Sequence, residues 1–330
     1  MHKSPVSLLI VAGRIAQLVP GRQSFEADRH IDCGFVLPGL VEAHCHLFLD
    51  GAELDLERRS AYLNLGMADF VATGRRNLAA LRAAGVTLVR DAGDRHGINH
   101  ALRAEVVGTS LPQVRSAGRA LRRKGRYGSF MADEIDSIAD AQVAVERRRG
   151  DVDDLKVVLT GIIDFAAATV KGAPQFDQVM LDALMSAARS AGLRTFAHCL
   201  GADGIDLAIA AGLDSIEHGF FMAEHHLPDL AARGIAWVPT WSPVGFQAEQ
   251  PGILGLDDAS RRGIASILDN HRRMMGRAAQ VGVRLIAGSD AGSLGVVHGR
   301  ALIDELTHFH AAGLTIEQTL ATATSAPRLA

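Results

Sequence analysis

Lysine is nearly absent from this sequence. Only Lys3, Lys124, Lys156 and Lys171 stand among 34 basic residues. A lysine that interrupts an apolar strand is therefore more informative than usual. Cysteine is scarcer still: Cys33, Cys45 and Cys199 are too few and too scattered for a disulfide framework. A reducing compartment is the simplest setting, and a cytoplasmic location is expected. No apolar run reaches the roughly 18 residues of a membrane span. The run Val6 to Ala12 lacks the longer core and cleavage site of a secretory signal. The net charge of −3 offers no basic field to nucleic acid, so a small molecule is the expected partner.

What the chain does have is apolar residues and alternation. With 330 residues, 48% of them hydrophobic, it can bury a large core. Residues 1–34 read as two short strands, Ser7–Ala12 and Arg14–Val19. From Phe35 to residue 330 strand-like and helix-like segments alternate. The strands are Phe35–His44, Val86–Asp91, Gln113–Ser116, Leu155–Thr160, Leu193–His198, Ser215–His218, Ile235–Thr240 and Val283–Asp290. The helical patterns between them include Met67–Ala84, Ile135–Arg149, Gln175–Ala191, Gly204–Ala211, Ala223–Arg233 and Ser260–Val281. Gly85, Gly192, Gly212 and Gly282 sit where a helix must stop before a strand. Eight alternations predict an α/β fold, a (β/α)8 TIM barrel with a small N-terminal β appendage, a reduced β-sandwich. A doubly wound open sheet is the alternative. No Gly-x-Gly-x-x-Gly follows the first strand, which weakens its nucleotide-binding form.

The first strand ends in His44-Cys45-His46. Residues two apart on a strand share a side, so two imidazoles would face one way, as a zinc-like ion requires. Composition alone predicts roughly 0.6 such pairs per chain, so the pair must be judged by its companions. A second pair, His308 and His310, lies in a helical stretch where such positions diverge, and reads as chance. The companions of the first pair are polar residues at other strand ends: Lys156, His198, Glu217-His218 and Asp290. Each has an ordinary structural explanation, such as a carbonyl bond, an ion pair or a helix cap. Together they fall on the catalytic face of one barrel. Cys45 and Cys199 adjoin these histidines but point away, as small core residues. After the third strand comes a basic, glycine-rich loop, Gly118 to Phe130. In it Tyr127 is placed to meet a substrate carboxylate or an oxyanion, and Arg119, Arg122, Arg123 and Arg126 offer a carboxylate clamp. His225 and His226 read as surface residues.

The run Leu37-Pro38-Gly39-Leu40-Val41-Glu42-Ala43-His44-Cys45-His46, together with Lys156, Ala197-His198, Ile216-Glu217-His218-Gly219 and Gly288-Ser289-Asp290-Ala291-Gly292, resembles the amidohydrolase superfamily. The likeness is to its imidazolonepropionase-related and prolidase-like branch, and runs from Leu37 to Pro327. The resemblance implies two divalent metal ions, zinc first, with manganese, iron or cobalt as alternatives. It implies that His44 and His46 bind the more buried ion and that His198 and His218 bind the other. Lys156 would bridge them as a CO2-derived carbamate, and Asp290 would touch the first ion. It also implies a role for His298 beside the metals or the substrate.

The implied chemistry stands on its own terms. Two ions roughly 3.5–4 Å apart share a hydroxide that attacks an amide or peptide-like carbonyl. Asp290 takes the proton and passes it to the leaving amine. A dipeptide or N-acyl amino acid is the leading substrate class. A lactone, phosphotriester or cyclic imide would suit the same centre. A mononuclear deaminase or a metal-free barrel scaffold are more remote readings. The superfamily continues past the eighth helix into strands that complete a sandwich. Here the sequence reaches Ser325–Ala330 at that point, so exposed N-terminal edges are expected to be covered by a loop or by a neighbouring chain in a homo-oligomer.

Overall fold

The computed structural model describes residues 4–327, so the last three residues of the C-terminal run lie outside the described part. The chain divides into two compact units, residues 1–38 and 39–330. The first holds an antiparallel hairpin of β1 (Val6–Val11) and β2 (Arg14–Pro20). Its turn places Ala12 at φ 50° and Gly13 at φ 74°. That is the mirror-image turn whose twist suits a two-residue hairpin. Ser7 Oγ donates to the Gly21 carbonyl and accepts from the Gln23 amide, folding the following chain back along β1. The side chains of Ile10 and Ile15 are exposed.

The second unit carries eleven strands among the described residues. They are β3 (Leu40–Cys45), β4 (Val86–Asp91), β5 (Gln113–Ser116), β6 (Ala120–Arg123), β7 (Ala132–Ile135), β8 (Asp154–Val158), β9 (Ile163–Asp164), β10 (Thr169–Val170), β11 (Arg194–Cys199), β12 (Ser215–His218) and β13 (Ala236–Val238). The helices are α1 (Leu56–Tyr62), α2 (Met67–Ala83), α3 (Ile98–Glu105), α4 (Ile138–Glu146), α5 (Gln178–Ser190), α6 (Ala202–Ala211), α7 (His226–Arg233), α8 (Ser242–Glu249), α9 (Asp258–Val281), α10 (Arg300–Ala311) and α11 (Ile316–Thr322).

Strands β3, β4 and β5 form one parallel sheet; β8, β11, β12 and β13 lie in a second, with β6 and β7 beside β8. Backbone bonds join the two sheets at both seams. The Asp153 amide donates to Ser116, linking β5 to the start of β8. Residues 284–291 bridge the other seam: Ile286 donates to Trp237 of β13, and Ala43 of β3 donates to Ala287. The result is a TIM-barrel-type fold.

Local chemistry sets the element ends. Asp55, Ser137, Asp177, Asp257 and Thr315 each cap a helix with a side-chain oxygen. The four glycines expected to stop helices, at 85, 192, 212 and 282, all adopt left-handed φ. Two strands differ from the reading above. The first begins at Leu40, because Pro38 has no N–H to give a ladder, and Phe35 is 80% exposed. The eighth is held by isolated bridges at Leu285 and Ala291. There Gly288 lies so close to β3 that a Cβ would meet the His44 amide at 2.9 Å.

Candidate metal centre

Strand β3 delivers His44 and His46 to one side, with Cys45 between them turned into the core. Their Nε2 atoms each lie 3.6 Å from Asp290 Oδ1. Two ligands on one tetrahedral ion, bonded at about 2.0–2.1 Å, stand about 3.3 Å apart, so this spacing fits a shared cation. His218 brings its ring to 5.0 Å from His44 and 4.6 Å from His198. Lys156 is 1% exposed, with Nζ over the Phe196 ring and no carboxylate paired to it among the described residues. Thus β3 and the 284–291 segment bring three of the six expected ligands, His44, His46 and Asp290, within reach of one cation, with His218 and His198 beside them and Lys156 on the neighbouring β8.

Backbone strain makes part of this possible. His218 has φ 70°, Thr240 φ 49° and Asp290 φ 54°, left-handed values that cost a side-chain-bearing residue energy. Neighbours on a regular strand face opposite ways. The turn at His218 lets Glu217 and His218 both face inward, where Glu217 Oε2 meets His44 Nδ1 at 2.5 Å. The Asp290 amide donates to the His44 carbonyl at 2.7 Å, which fixes that acid against β3.

The hydrogen bonds on the far ring nitrogens decide which nitrogen faces the centre. His46 Nδ1 donates to the Gly93 carbonyl at 3.0 Å, leaving its Nε2 lone pair free. His218 Nδ1 donates to Thr240 Oγ1 at 2.7 Å, because that hydroxyl already gives its proton to the Pro239 carbonyl. His44 Nδ1 donates to Glu217, whose other oxygen accepts from Arg90 at 2.9 Å and Ser215 at 2.6 Å. His198 is reversed: its Nε2 donates to the Gly161 carbonyl at 3.2 Å and leaves Nδ1 free.

Electrostatics agree with a ligand set. Burial, followed by the nearby Lys156 charge, holds His46 down to about 4 and His198 to about 3. His44 and His218 are also well below the usual histidine range, for burial first. These rings are neutral at pH 7, as metal ligation requires. Burial brings Lys156 down to about 8, so a free amine is accessible near neutral pH. Burial raises Asp290 to about 7, an effect that the Lys156 charge opposes.

The residues that the sequence reading left without a role are mostly carboxylates and their partners. Glu217 and Arg90 hold His44. Glu42 accepts from the amides of His44 and Ser289 and from Ser289 Oγ, tying β3 to the segment before Asp290. Their signal was present: each is a charged residue inside a short apolar strand. Tyr127 lies with its ring 5.4 Å from His198 and its hydroxyl unpaired among the described residues. His298 is buried beside the His46 backbone, with neither ring nitrogen in a well-formed hydrogen bond.

The arginine loop is more structured than expected, since it contains β6 and leads to β7. Arg119, Arg122 and Arg123 pair with Asp133, Glu134 and Asp136, which ties those elements together. Arg126 alone of the four has no carboxylate partner among the described residues; it donates to the Ala173 carbonyl at 2.6 Å. His226, expected at the surface, is 1% exposed, because α7 packs it under His225 beside Asp206. No described helix is long and apolar enough to cross a membrane.

Residues 35–330 match the model of the amidohydrolase family. An uncharacterized protein of Mycobacterium tuberculosis is 32% identical over 331 residues, covering 97% of this chain and 80% of the relative. The imidazolonepropionase of Salinispora arenicola is 29% identical over 266 residues, covering 72% of this chain and 62% of that protein. The crystal structure of a Xaa-Pro dipeptidase with methionine bound in its active site shares the fold, with a TM-score of 0.80 at 24% identity over 97% of this chain and 82% of that one. The chain belongs to the amidohydrolase family, hydrolases of carbon–nitrogen bonds.

Proposed function

We propose that this protein hydrolyses the amide bond of a dipeptide or N-acyl amino acid at a divalent-metal centre, held by His44, His46, Lys156, His198, His218 and Asp290. The observation that carries the reading is the convergence of neutral imidazoles held by hydrogen bonds, one carboxylate on strained backbone and a buried lysine with no ion pair among the described residues. The donor set suits zinc first, with manganese, iron or cobalt as alternatives. Lys156, buried and brought down to about 8, would add an oxygen donor to the set if its free amine took up CO2 as a carbamate.

Bound there, the ions would supply charge to polarise the scissile carbonyl and acidify water. Asp290, raised to about 7 by burial, accepts the proton of the attacking water and delivers it to the departing nitrogen. Tyr127 is placed to donate its unpaired hydroxyl proton to the carbonyl oxygen as charge develops on it. His298, buried against the His46 backbone, would act by positioning that ligand. Arg126 is the arginine of the loop after β5 left to pair with a substrate carboxylate. A second reading, hydrolysis of a cyclic imide by the same residues, is favoured by the likeness to an imidazolonepropionase.

The deciding experiment is metal content per purified chain, with and without bicarbonate, followed by a panel of dipeptides and N-acyl amino acids. About two ions per chain, rising with bicarbonate, and turnover of the panel are expected. One ion indifferent to bicarbonate would replace the binuclear reading with a mononuclear one. No metal after reconstitution would leave a barrel without hydrolytic function.

A further inference from the structure

A cavity of about 270 Å³ opens past the ends of three of the proposed ligand-bearing strands. Thr160 follows β8, Gly201 and Asp203 follow β11, and Phe221 follows β12; Val170 and Pro174 close the side opposite. The cavity neighbours the centre through Gly161, the residue after Thr160, whose carbonyl accepts from His198. The cavity's cover, the β9–β10 hairpin, is fixed in place. The Phe165 carbonyl rests on Gly263 of α9, where a Cβ would lie 1.7 Å from that oxygen. The Lys171 amide closes the open end of the hairpin on the Ile162 carbonyl at 2.8 Å. Glycine keeps the floor low: a Cβ at Gly201 would meet Val170 Cγ2 at 3.1 Å.

The chemistry of this cavity is uneven. Val170, Pro174 and Phe221 give apolar walls, and Thr160 spends its hydroxyl on the Leu200 amide. Asp203, exposed in the first turn of α6, is the one charged residue lining it among those described, and its carboxylate has no hydrogen bond or ion pair among them. At the opposite rim stands Arg126, whose Nη2 would lie 3.3 Å from a Cβ on Gly172. An aliphatic stem would fill the apolar section and a cationic end would reach Asp203. Arg126 would then remain for the carboxylate of the same residue.

We propose that this cavity receives the side chain of the residue released by hydrolysis, and that Asp203 makes it selective for a cationic group on an aliphatic stem, an amine or a guanidine. The proposal rests on the amide-hydrolase reading, and two measurements separate its failure from that of the reading.

The first compares kcat/KM for alanyl-lysine and alanyl-norleucine, which differ by the terminal amine. The lysyl substrate is expected to lead by about threefold, the effect of one exposed ion pair. Asp203→Asn should collapse that ratio toward one, and Asp203→Glu should keep most of it. An equal ratio in the parent protein, or a preference that survives Asp203→Asn, overturns the proposal while the hydrolase reading stands. The second is ligand-observed NMR of n-pentylammonium against n-pentanol, on the parent and on Asp203→Asn. Binding of the cation that depends on Asp203 supports the subsite even if neither dipeptide is cleaved, in which case the hydrolase reading is what falls. Equal binding of cation and alcohol overturns the proposal.

Discussion

Among the described residues two groups hold a pair of histidines and an aspartate within reach of one cation: His44, His46 and Asp290 inside the barrel, and Asp206, His225 and His226 beside α7. Their composition is the same and their chemistry is not. Inside the barrel the Nδ1 atoms of His44 and His46 donate outward to Glu217 and to the Gly93 carbonyl, so both Nε2 lone pairs face Asp290. In the second group the Ala223 amide donates to His226 Nδ1 at 3.0 Å. A neutral ring that accepts there carries its proton on Nε2, which lies 3.2 Å from Asp206. That protonated atom makes no well-formed hydrogen bond to the acid and cannot ligate without losing the amide bond on Nδ1. His225 is 69% exposed and gains nothing from burial. The partner on the far nitrogen, more than the count of ligand atoms, separates a candidate centre from a surface cluster.

That contrast can be broken from either side. The largest effect is expected at the acid: Asp290→Asn keeps the shape but cannot accept the proton, and kcat should fall by about 10²–10⁴-fold. A smaller loss would move the proton transfer to another residue. Next comes the orienting carboxylate. Glu217→Gln leaves an amide on His44 Nδ1 and weakens its pull on the ring. Metal affinity, measured by chelator competition, should drop by about 10–100-fold. Affinity within twofold of the parent would remove the orienting role.

A third test concerns a buried acid away from the centre. Glu305 accepts from the Trp241 and Ser242 amides and from Ser242 Oγ. Burial nevertheless raises it from 4.5 to about 8. The folded state thus holds this proton more tightly than the unfolded chain does. The stability it contributes is complete below 4.5 and is lost as pH rises toward 8. Glu305→Gln should flatten that part of the Tm–pH profile, and an unchanged slope would assign it elsewhere. The smallest effect is expected at the second cluster. Asp206→Ala and His225→Ala should leave metal stoichiometry and turnover as they were, whereas a lost ion would make that cluster a true site.

Much of the centre was legible in the linear chain because its residues break local patterns. His44 and His46 keep strand spacing, and Lys156 interrupts an apolar run in a chain with four lysines. Glu42, Arg90 and Glu217 sent the same signal, a charge inside a short strand, but their roles depend on partners far along the chain. Glu217 and His44 are 173 residues apart. The arginine loop misled for the related reason that Arg119, Arg122 and Arg123 look available until the acids of β7 and just beyond it are brought beside them.

The sequence by itself determined the alternation of strands and helices, the glycine stops and the buried apolar core, and it singled out the residues proposed as ligands. These depend on periodicity, φ preference and side-chain chemistry, all of which are local. Tertiary structure alone decided which nitrogen of each histidine faces inward, which arginine is left unpaired, and that His218 and Asp290 adopt strained left-handed backbone. Those outcomes are set by hydrogen-bond partners and close approaches between segments distant in sequence, and no local rule specifies which segment will arrive.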